Sequence, residues 1–450
     1  MTSVDRSRLA ELRAREEAVF AAAHPKSRDL AEQARVNLLG GVPMNWMSRW
    51  PGAFPLFVTE AEGARFTDVD GHTYIDMCLG DTGAMTGHAP PATVAAISAQ
   101  AAKGLTTMLP SEDAIWVGAE LARRFGLPTW QVAMTATDAN RFVLRLARHL
   151  TARPKVLVFN WCYHGTVDEA LNTLDASGRV VPRAGNTGPA GDPALTTVVV
   201  EFNDIPALEV ALAGGDVACV LAEPALTNIG IVLPDPGYHE ALREITRRTG
   251  TLLVIDETHT ICTGPGGYTA AHGLEPDLFV IGKPIAGGFP AAAYGMSAEI
   301  ADRLAEFMAS DEGDVSGIGG TLSGNPLAMA AIRATLSTCL LPADYDHAIP
   351  LATRWTEGVK AAYQAHGLEW TVQQLGCRAE YWFCPAPHNG GEAAAAVDHE
   401  LDAFMHLYAL NRGILLTPFH NMALFCSAHS DADVDRHSEV FGAAVSELVG

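Results

Sequence analysis

The chain of 450 residues is long enough for two or three domains, each with its own hydrophobic core. Hydrophobic residues make up 48% and charged residues 18%, as is typical of a well-packed globular protein. The formal net charge of -22 argues against a nucleic-acid partner, whose phosphates such a surface would repel.

The N-terminal segment (MTSVDRSRLAELRAREEAVF) is charged throughout and contains no apolar signal core, so we expect a cytoplasmic protein. It predicts an amphipathic helix, with Leu9, Leu12, Ala14 and Val19 near helical spacing. No apolar run in the chain approaches the ~20 residues that span a bilayer, so we expect no membrane partner. The cysteines are scattered without a C-x-x-C pair, which predicts reduced, buried thiols and no bound metal.

In the middle of the chain, short β-branched runs alternate with amphipathic stretches. This alternation predicts βαβ units around a buried parallel sheet. The runs predicted as strands are residues 155–159, 196–200, 217–222, 251–255 and 278–281. Helices are predicted over residues 138–150, 205–213 and 238–249.

The two ends of the chain have a different pattern, which predicts a smaller α+β domain. Residues 65–77 read as a hairpin around the turn Asp70-Gly71. Beyond residue 334, the pattern predicts helices over 354–366, over 395–410 and from Asp431, with strand-like runs at 370–375, 380–384 and 413–416. The predicted domains are therefore an N-terminal segment packing with the small domain (1–75), a large α/β domain (76–333) and a small α+β domain (334–450).

Chemically active residues follow the predicted strands directly, at the sheet edge where open α/β folds bind their ligands. They are Tyr163, Glu223, Asp256 and Lys283. Taken singly, each has an ordinary interpretation as a turn residue or a solvated charge. However, Asp256 and Lys283 adjoin buried strands, where an unpaired charge would be costly.

Pyridoxal phosphate accounts for this set of residues. A lysine amine binds the cofactor's aldehyde covalently, a buried carboxylate keeps its ring nitrogen protonated, and an aromatic ring covers its face. The phosphate needs backbone donors at a helix N-terminus, which the segment Thr135-Ala136-Thr137 supplies. A plain helix cap is the alternative interpretation of that segment.

The runs IDETHT (255–260), LFVIGKPIAGGFPAAAYG (278–295) and GGTLSGNPLAMAA (319–331) resemble the class III (ω-type) aminotransferases, in particular the branch that contains glutamate-1-semialdehyde aminomutase. The resemblance extends from about Leu38 to the end of the chain. It implies fold type I of the pyridoxal-phosphate enzymes, in which a mostly parallel seven-stranded-type sheet forms the large domain. It also implies homodimers with shared active sites.

The resemblance further implies roles for individual residues. Lys283 would be the catalytic lysine, Asp256 the partner of the ring nitrogen and Tyr163 the stacking aromatic. Ala136 and Thr137 would bind the phosphate beside Thr135, and Thr321 would reach it from the neighbouring subunit. Glu223 would line the substrate side.

The sequence departs from the family at three places. The usual Ser-Gly-Thr is Thr135-Ala136-Thr137, and the usual valine beneath the ring is Thr258. The segment 41–49, where the aminomutase relative has a carboxylate-binding arginine, has only Arg49, a few residues late. We therefore predict an apolar substrate pocket formed by Trp46, Met47, Phe419 and Met422. The alternative is that these residues pack an interface while Arg49, Arg141 or His420 receives a carboxylate.

Together these features predict a ping-pong aminotransferase with Lys283 as the acid and base. It would move an amino group between an amine or amino acid, with an apolar or aromatic group, and a keto acid, ketone or aldehyde. The alternatives are an intramolecular aminomutase, a racemase or epimerase on the same cofactor, and a non-catalytic pyridoxal-phosphate-binding protein. A nicotinamide-binding fold is disfavoured, because no G-x-G-x-x-G follows the first strand.

Overall fold

The computed structural model describes residues 4–310 and 313–450. The chain divides into two compact units. The terminal unit comprises Met1–Pro90, Ala343–Ala386 and Ala396–Gly450, and the central unit comprises Pro91–Pro342 and Pro387–Ala395. The units therefore divide at Pro90 and Pro342, where the sequence predicted boundaries after residues 75 and 333.

The central unit contains the seven-stranded, mostly parallel sheet of fold type I. Its strands, in spatial order, are Thr129–Ala133, Ala292–Met296, Leu278–Ile281, Leu252–Asp256, Val217–Ala222, Lys155–Phe159 and Thr197–Val200. Only Ala292–Met296 runs antiparallel to its neighbours. Every residue of Val217–Ala222 is buried, because helices cover both faces of a parallel sheet.

The helices of the central unit are Pro91–Ala101, Asp113–Phe125, Ala136–Thr151, Ile205–Leu212, Tyr238–Thr249, Gly267–His272, Ala298–Met308, Pro326–Thr338 and Gly390–Ala395. Ala136–Thr151 packs Phe142, Val143 and Leu146 into the core of the sheet. It begins two residues before the predicted start, because the side chain of Thr135 caps it by accepting from the Asp138 N–H.

Two strands of this sheet were not predicted. Thr129–Ala133 is partly exposed along its length, and Ala292–Met296 consists of small residues, a tyrosine and a methionine, so neither has a β-branched run. A Cβ at Gly295 would lie 2.6 Å from the Trp130 ring, so the glycine allows the two strands to pack together there.

The terminal unit is α+β. Its helices are Arg6–Ala23, Pro25–Ala34, Pro342–Ala365, His399–Leu410 and Asp431–Val449. One sheet pairs Val58–Glu62, Arg65–Asp68, Thr73–Asp76 and Ile414–Leu415, and another pairs Thr371–Leu375, Arg378–Trp382 and Met422–Leu424. The predicted hairpin is present, with Phe66 opposite Tyr74 and Gly71 at a positive φ of 97° in the turn.

The predicted apolar face of the N-terminal helix is partly wrong. Leu9 and Leu12 are buried as expected, but Ala14 and Val19 are exposed. The buried stripe continues instead through Glu16 and Phe20. Glu16 is buried because Arg412 and Asn411 donate hydrogen bonds to its carboxylate, at 3.0 and 2.8 Å.

Among the described helices, no single one is long and apolar enough to cross a membrane. The bent pair Pro326–Thr338 and Pro342–Ala365 meets the criteria of length and composition.

Candidate active site

Asp256 ends the central strand Leu252–Asp256, with its carboxylate buried among three donors. Asn140 and His164 donate to Oδ2 at 2.8 and 2.9 Å, and the Thr258 N–H donates to Oδ1 at 3.1 Å. Burial opposes ionisation, but these hydrogen bonds outweigh it, so the pKa of Asp256 lies below its usual value. The sheet therefore holds a buried anion at its carboxyl edge.

The side chain of His164 is paired with the buried Asp256 carboxylate. Burial alone would lower the pKa of His164, but the side chains of Cys162 and Asp256 raise it well above its ordinary value. His164 is fixed further because Asn140 donates to its carbonyl oxygen at 3.1 Å. The two pKa shifts both favour the charged forms, so the contact favours an imidazolium beside a carboxylate.

Three buried polar atoms next to Asp256 have no hydrogen-bond partner among the described residues. They are Asn140 Oδ1, His164 Nε2 and Thr258 Oγ1. Orphaned buried polar atoms are uncommon in native proteins, and a cluster of them indicates that a polar ligand belongs there. A buried carboxylate with a hydroxyl and an imidazole beside it fits a protonated pyridine ring that carries a hydroxyl substituent.

Lys283 lies at the same edge, just after the strand Leu278–Ile281, which pairs with the strand of Asp256. Its φ is 49°, in the left-handed region that is strained for non-glycine residues and recurs at active sites. Its Nζ lies 2.7 Å from Nε2 of the buried His259. A Cβ at the preceding Gly282 would lie 2.9 Å from Ala136, so the lysine backbone passes close to the start of helix Ala136–Thr151.

The start of that helix offers donors for an anion. The first N–H groups of a helix have no intrahelical acceptor, and the helix dipole favours negative charge there. Thr137 Oγ1 accepts from the Thr166 N–H at 3.1 Å. Gly165 lies so close that a Cβ would be 2.1 Å from Thr137 Oγ1. The turn containing Tyr163 is therefore held against the helix start.

Tyr163 and Glu223 are linked at the neighbouring strand end. The Tyr163 N–H donates to Glu223 Oε1 at 3.5 Å, and Asn228 donates to both the Tyr163 carbonyl and Glu223 Oε2, at 3.4 and 3.1 Å. Burial raises the pKa of Glu223. The remaining predicted cofactor residue, Thr321, is exposed in the segment before helix Pro326–Thr338.

The four predicted pocket residues belong to the terminal unit. The Trp46 ring meets the Phe419 ring edge-on, with centroids 4.7 Å apart. Met47 is exposed, whereas Met422 is buried in the strand Met422–Leu424. Their roles stay predictions, as do those of the cofactor residues.

Sequence reasoning missed three residues of the central site, namely Asn140, His164 and His259. Asn140 lies on the buried face of an amphipathic helix, where a polar residue interrupts the apolar pattern and could have been noticed. His164 directly follows Tyr163, and His259 stands in the run IDETHT, but no contact to Asp256 or Lys283 follows from spacing alone.

Comparison with known proteins identifies relatives over nearly the whole chain. The family described as Aminotransferase class-III matches residues 46–364. A glutamate-1-semialdehyde-aminomutase from Pseudomonas aeruginosa PAO1 is 52% identical, with 99% of each chain covered and a TM-score of 0.96. Glutamate-1-semialdehyde 2,1-aminomutase of Sorangium cellulosum (strain So ce56) is 36% identical, with 92% of this chain and 94% of that protein covered. An omega-transaminase from Sphaerobacter thermophilus is 27% identical, with 94% of this chain and 98% of that chain covered and a TM-score of 0.86.

These relatives contradict the predicted intermolecular transamination. The proteins at 52% and 36% identity are named aminomutases, whereas the transaminase is 27% identical. The prediction of a ping-pong aminotransferase with separate donor and acceptor is therefore wrong. It rested on the predicted cofactor residues, whose chemistry is the same in either reaction.

The family match extends over most of the chain, and the fold and the buried Asp256 site agree with it. The chain belongs to the class III aminotransferase family, and it is a pyridoxal-phosphate-dependent enzyme of fold type I that acts on small molecules.

Proposed function

We propose that this enzyme is an intramolecular aminomutase that exchanges the amino and carbonyl groups of glutamate-1-semialdehyde. The observation that carries the proposal is the 52% identity to an aminomutase over 99% of both chains. An exchange within one molecule needs no second substrate, because that molecule carries both an amino group to give up and a carbonyl to receive one.

Pyridoxal phosphate, when bound, supplies a carbonyl that takes up an amino group and a ring that withdraws electrons from the adjacent carbon. We assign Asp256 as the group that holds a proton on the ring nitrogen. Its lowered pKa and its fixed position between Asn140 and His164 support this assignment, since an ionised carboxylate is required. The Thr258 hydroxyl, which lacks a partner among the described residues, would donate to an oxygen of the ring.

We assign Lys283 as the covalent anchor of the cofactor and as the group that moves the proton. The exchange removes a proton from one substrate carbon and delivers one to its neighbour, and a flexible lysine amine would serve as both base and acid. Lys283 Nζ is half-buried beside His259 Nε2, at 2.7 Å, which supports a role in which the amine gives up and regains a proton.

We assign the phosphate to the start of helix Ala136–Thr151. Thr135, Ala136 and Thr137 would supply hydroxyl and backbone N–H donors there. Tyr163 would cover one face of the ring, and Glu223 would line the substrate side. The contacts of Tyr163 with Glu223 and Asn228 support this arrangement, since they hold the tyrosine backbone at the strand ends.

We propose Arg49 as the cation that binds the substrate's distal carboxylate. Arg49 follows the short helix Asn45–Ser48 and is exposed, and its guanidinium makes no ion pair or hydrogen bond within the described ranges. Trp46, Met47, Phe419 and Met422 would form the apolar wall beside the carbon chain. The edge-on contact of Trp46 with Phe419 supports a preformed wall.

We propose that the enzyme is a homodimer with shared active sites, in the cytoplasm. Thr321 would reach the cofactor of the partner subunit. The central unit exposes several large apolar side chains, which in a stable monomer would be costly to leave in water. They include Leu105, Met108, Leu109, Ile115 and Leu322.

No disulfide joins the eight cysteines, all of which lie in the described ranges, and this supports a reducing compartment.

The test is turnover of glutamate-1-semialdehyde by the cofactor-loaded enzyme with no added amino acceptor or donor. We expect stoichiometric conversion to the isomeric α-amino ketone, and no conversion by Lys283→Ala. Dependence on an added keto acid, or racemisation without movement of the amino group, would overturn the proposal. Arg49→Ala should raise KM with little change in kcat, because it binds a part of the substrate away from the reacting carbons.

A further inference from the structure

The terminal unit contains a cluster of metal-binding side chains that no cofactor role explains. His24 lies between helices Arg6–Ala23 and Pro25–Ala34. Asp68 ends the first strand of the hairpin, and His72 precedes the second. Each of the three offers one ligand atom, and these atoms all lie within 4.8 Å of one another.

The separations of these atoms suit a transition-metal ion. Asp68 Oδ2 lies 3.5 Å from His24 Nε2 and 3.3 Å from His72 Nδ1. Two ligand atoms of a tetrahedral zinc ion lie about 3.3 Å apart, given zinc–ligand bonds of about 2.0–2.1 Å. The three side chains therefore need only small movements to share one ion.

The outer contacts fix the ligands in the required orientation. His24 Nδ1 lies 2.7 Å from the Phe20 carbonyl oxygen, which can only accept, so Nδ1 carries the hydrogen and Nε2 faces the cluster. The His72 N–H donates to Asp68 Oδ1 at 2.9 Å, which holds the carboxylate. Metal-binding histidines usually donate their other ring N–H to a carbonyl or carboxylate in this way.

The Tyr74 hydroxyl contacts both buried members of the cluster. The Tyr74 hydroxyl lies 2.8 Å from His24 Nε2 and 2.9 Å from Asp68 Oδ2. Its single hydrogen can serve only one of these acceptors. An ion bound by His24 Nε2 would leave this hydrogen for the contact with Asp68.

The exposure of the His72 side chain provides a path from solvent for a metal ion. The side chains of His24 and Asp68 are almost fully buried, whereas that of His72 is 45% exposed. An ion can therefore enter from solvent past His72, and a water molecule can complete its coordination there. Two imidazoles and one carboxylate suit zinc and similar divalent transition metals better than magnesium or calcium.

We propose that His24, Asp68 and His72 bind a zinc-class divalent cation, with the Tyr74 hydroxyl donating to Asp68. The ion connects the junction of the two N-terminal helices to the hairpin. The histidines are distant in sequence and no cysteine is involved, which is why the cysteine pattern gave no sign of a metal. The proposal is independent of the reaction assigned to the enzyme.

The experiment is a calorimetric titration of the cofactor-loaded enzyme with zinc chloride, after free cofactor has been removed. We expect one ion per chain, and a rise of about 2 °C or more in the unfolding midpoint at saturating zinc. Replacing zinc by Co²⁺ should give the intense visible absorption of four-coordinate cobalt.

His72→Ala should weaken zinc binding at least tenfold and abolish the rise in the unfolding midpoint. His72 is exposed, so the variant should fold. The matched control is His388→Ala, which removes an exposed histidine that lies 2.8 Å from Asp235. Among the described residues, this histidine and carboxylate form no cluster with a second histidine. The proposal would be overturned if wild type and His72→Ala bound zinc equally, or if His388→Ala lost as much binding as His72→Ala. It would also be overturned if wild type bound no zinc at about 10 μM free zinc.

Discussion

Nε2 of His259 lies 2.7 Å from Nζ of Lys283, so a buried imidazole is within hydrogen-bond distance of the amine proposed to move protons. His259 lies in the segment after Asp256, and Lys283 lies beyond the next strand, so two neighbouring strand ends bring them together. An imidazole at this distance can orient the amine and exchange a proton with it.

His259→Ala should lower kcat about tenfold or more, with a smaller change in KM, because the amine would lose an orienting partner but not its substrate contacts. His259→Asn, which keeps a polar group, should recover part of the loss. The measurement is steady-state kinetics with the cofactor saturating, together with the rate at which borohydride fixes the cofactor to Lys283. Unchanged kcat and an unchanged rate of fixation in His259→Ala would show that the contact has no role in the reaction.

Asp256→Asn should cost at least tenfold in kcat, equivalent to about 1.4 kcal/mol of barrier. Only an ionised group keeps a ring nitrogen protonated, and an amide cannot do so. The matched control is the adjacent Glu257→Gln. Glu257 is buried and accepts from the Thr260 hydroxyl and the Tyr268 N–H, at 2.5 and 3.0 Å, so its loss should reduce stability more than activity. If the two variants lose activity equally, another group holds the ring nitrogen.

The pair of His164 and Asp256 should make stability depend on pH in a bounded window. The pKa of Asp256 is lowered, so its contribution is present above its ordinary value of about 3.9 and is lost as pH falls through the lowered pKa. The pKa of His164 is raised, so its contribution is complete below about 6.5 and is lost as pH rises through the raised pKa. Both contributions are therefore complete between about pH 4 and 6.5.

His164→Gln should lower the free energy of unfolding of the cofactor-free protein by about 1.5–3 kcal/mol inside that window, and by less at higher pH. Urea denaturation of wild type and variant across the pH range measures this difference. His388→Gln, which disrupts an exposed pair, should show almost none. A difference that grows steadily above pH 7 would contradict the charged pair.

Thr321→Ala should weaken cofactor binding if active sites are shared between subunits. Thr321 is exposed on a single chain, so it would contact phosphate only when a partner is present. The measurement is the cofactor dissociation constant alongside the sedimentation coefficient at the same protein concentration. A fully active wild-type monomer would contradict the proposal of a dimer with shared active sites. Unchanged cofactor affinity in Thr321→Ala would show that this residue does not contact the cofactor.

The sequence predicted the central strands that are built of large or β-branched apolar residues. The strand Val217–Ala222 is buried on both faces, so its apolar run is unmistakable, whereas Ala292–Met296 is equally buried but built of small residues that suit several structures. Within the site, Asp256 and Lys283 could be singled out because they follow buried strands, and their roles stay predictions. The contacts of Asn140, His164 and His259 with these two residues could not be predicted, because they join elements that lie far apart in the chain.

The choice between aminotransferase and aminomutase also lay beyond the sequence motifs. Asp256 and Lys283 are proposed to serve the cofactor, and the cofactor chemistry is common to both reactions. The two reactions differ in whether one molecule supplies both the amino group and the carbonyl. The residue types of the central site do not distinguish between these cases.

Gly165→Ala should weaken cofactor binding at least tenfold. The residue has a φ of 78°, and a Cβ there would lie 2.1 Å from Thr137 Oγ1, at the start of the helix that we assign to the phosphate. The alanine must push Thr137 away or move the turn that carries Tyr163 and His164. The matched control is Gly178→Ala, because Gly178 has a φ of 79° but no atom within 4 Å of the added Cβ, so it experiences the same backbone strain without the clash.

Fluorescence titration of the cofactor-free proteins with pyridoxal phosphate measures the affinities. Similar affinities for the two variants would mean that backbone strain, and not contact with Thr137, explains any loss, and the phosphate would then have to be assigned to other donors.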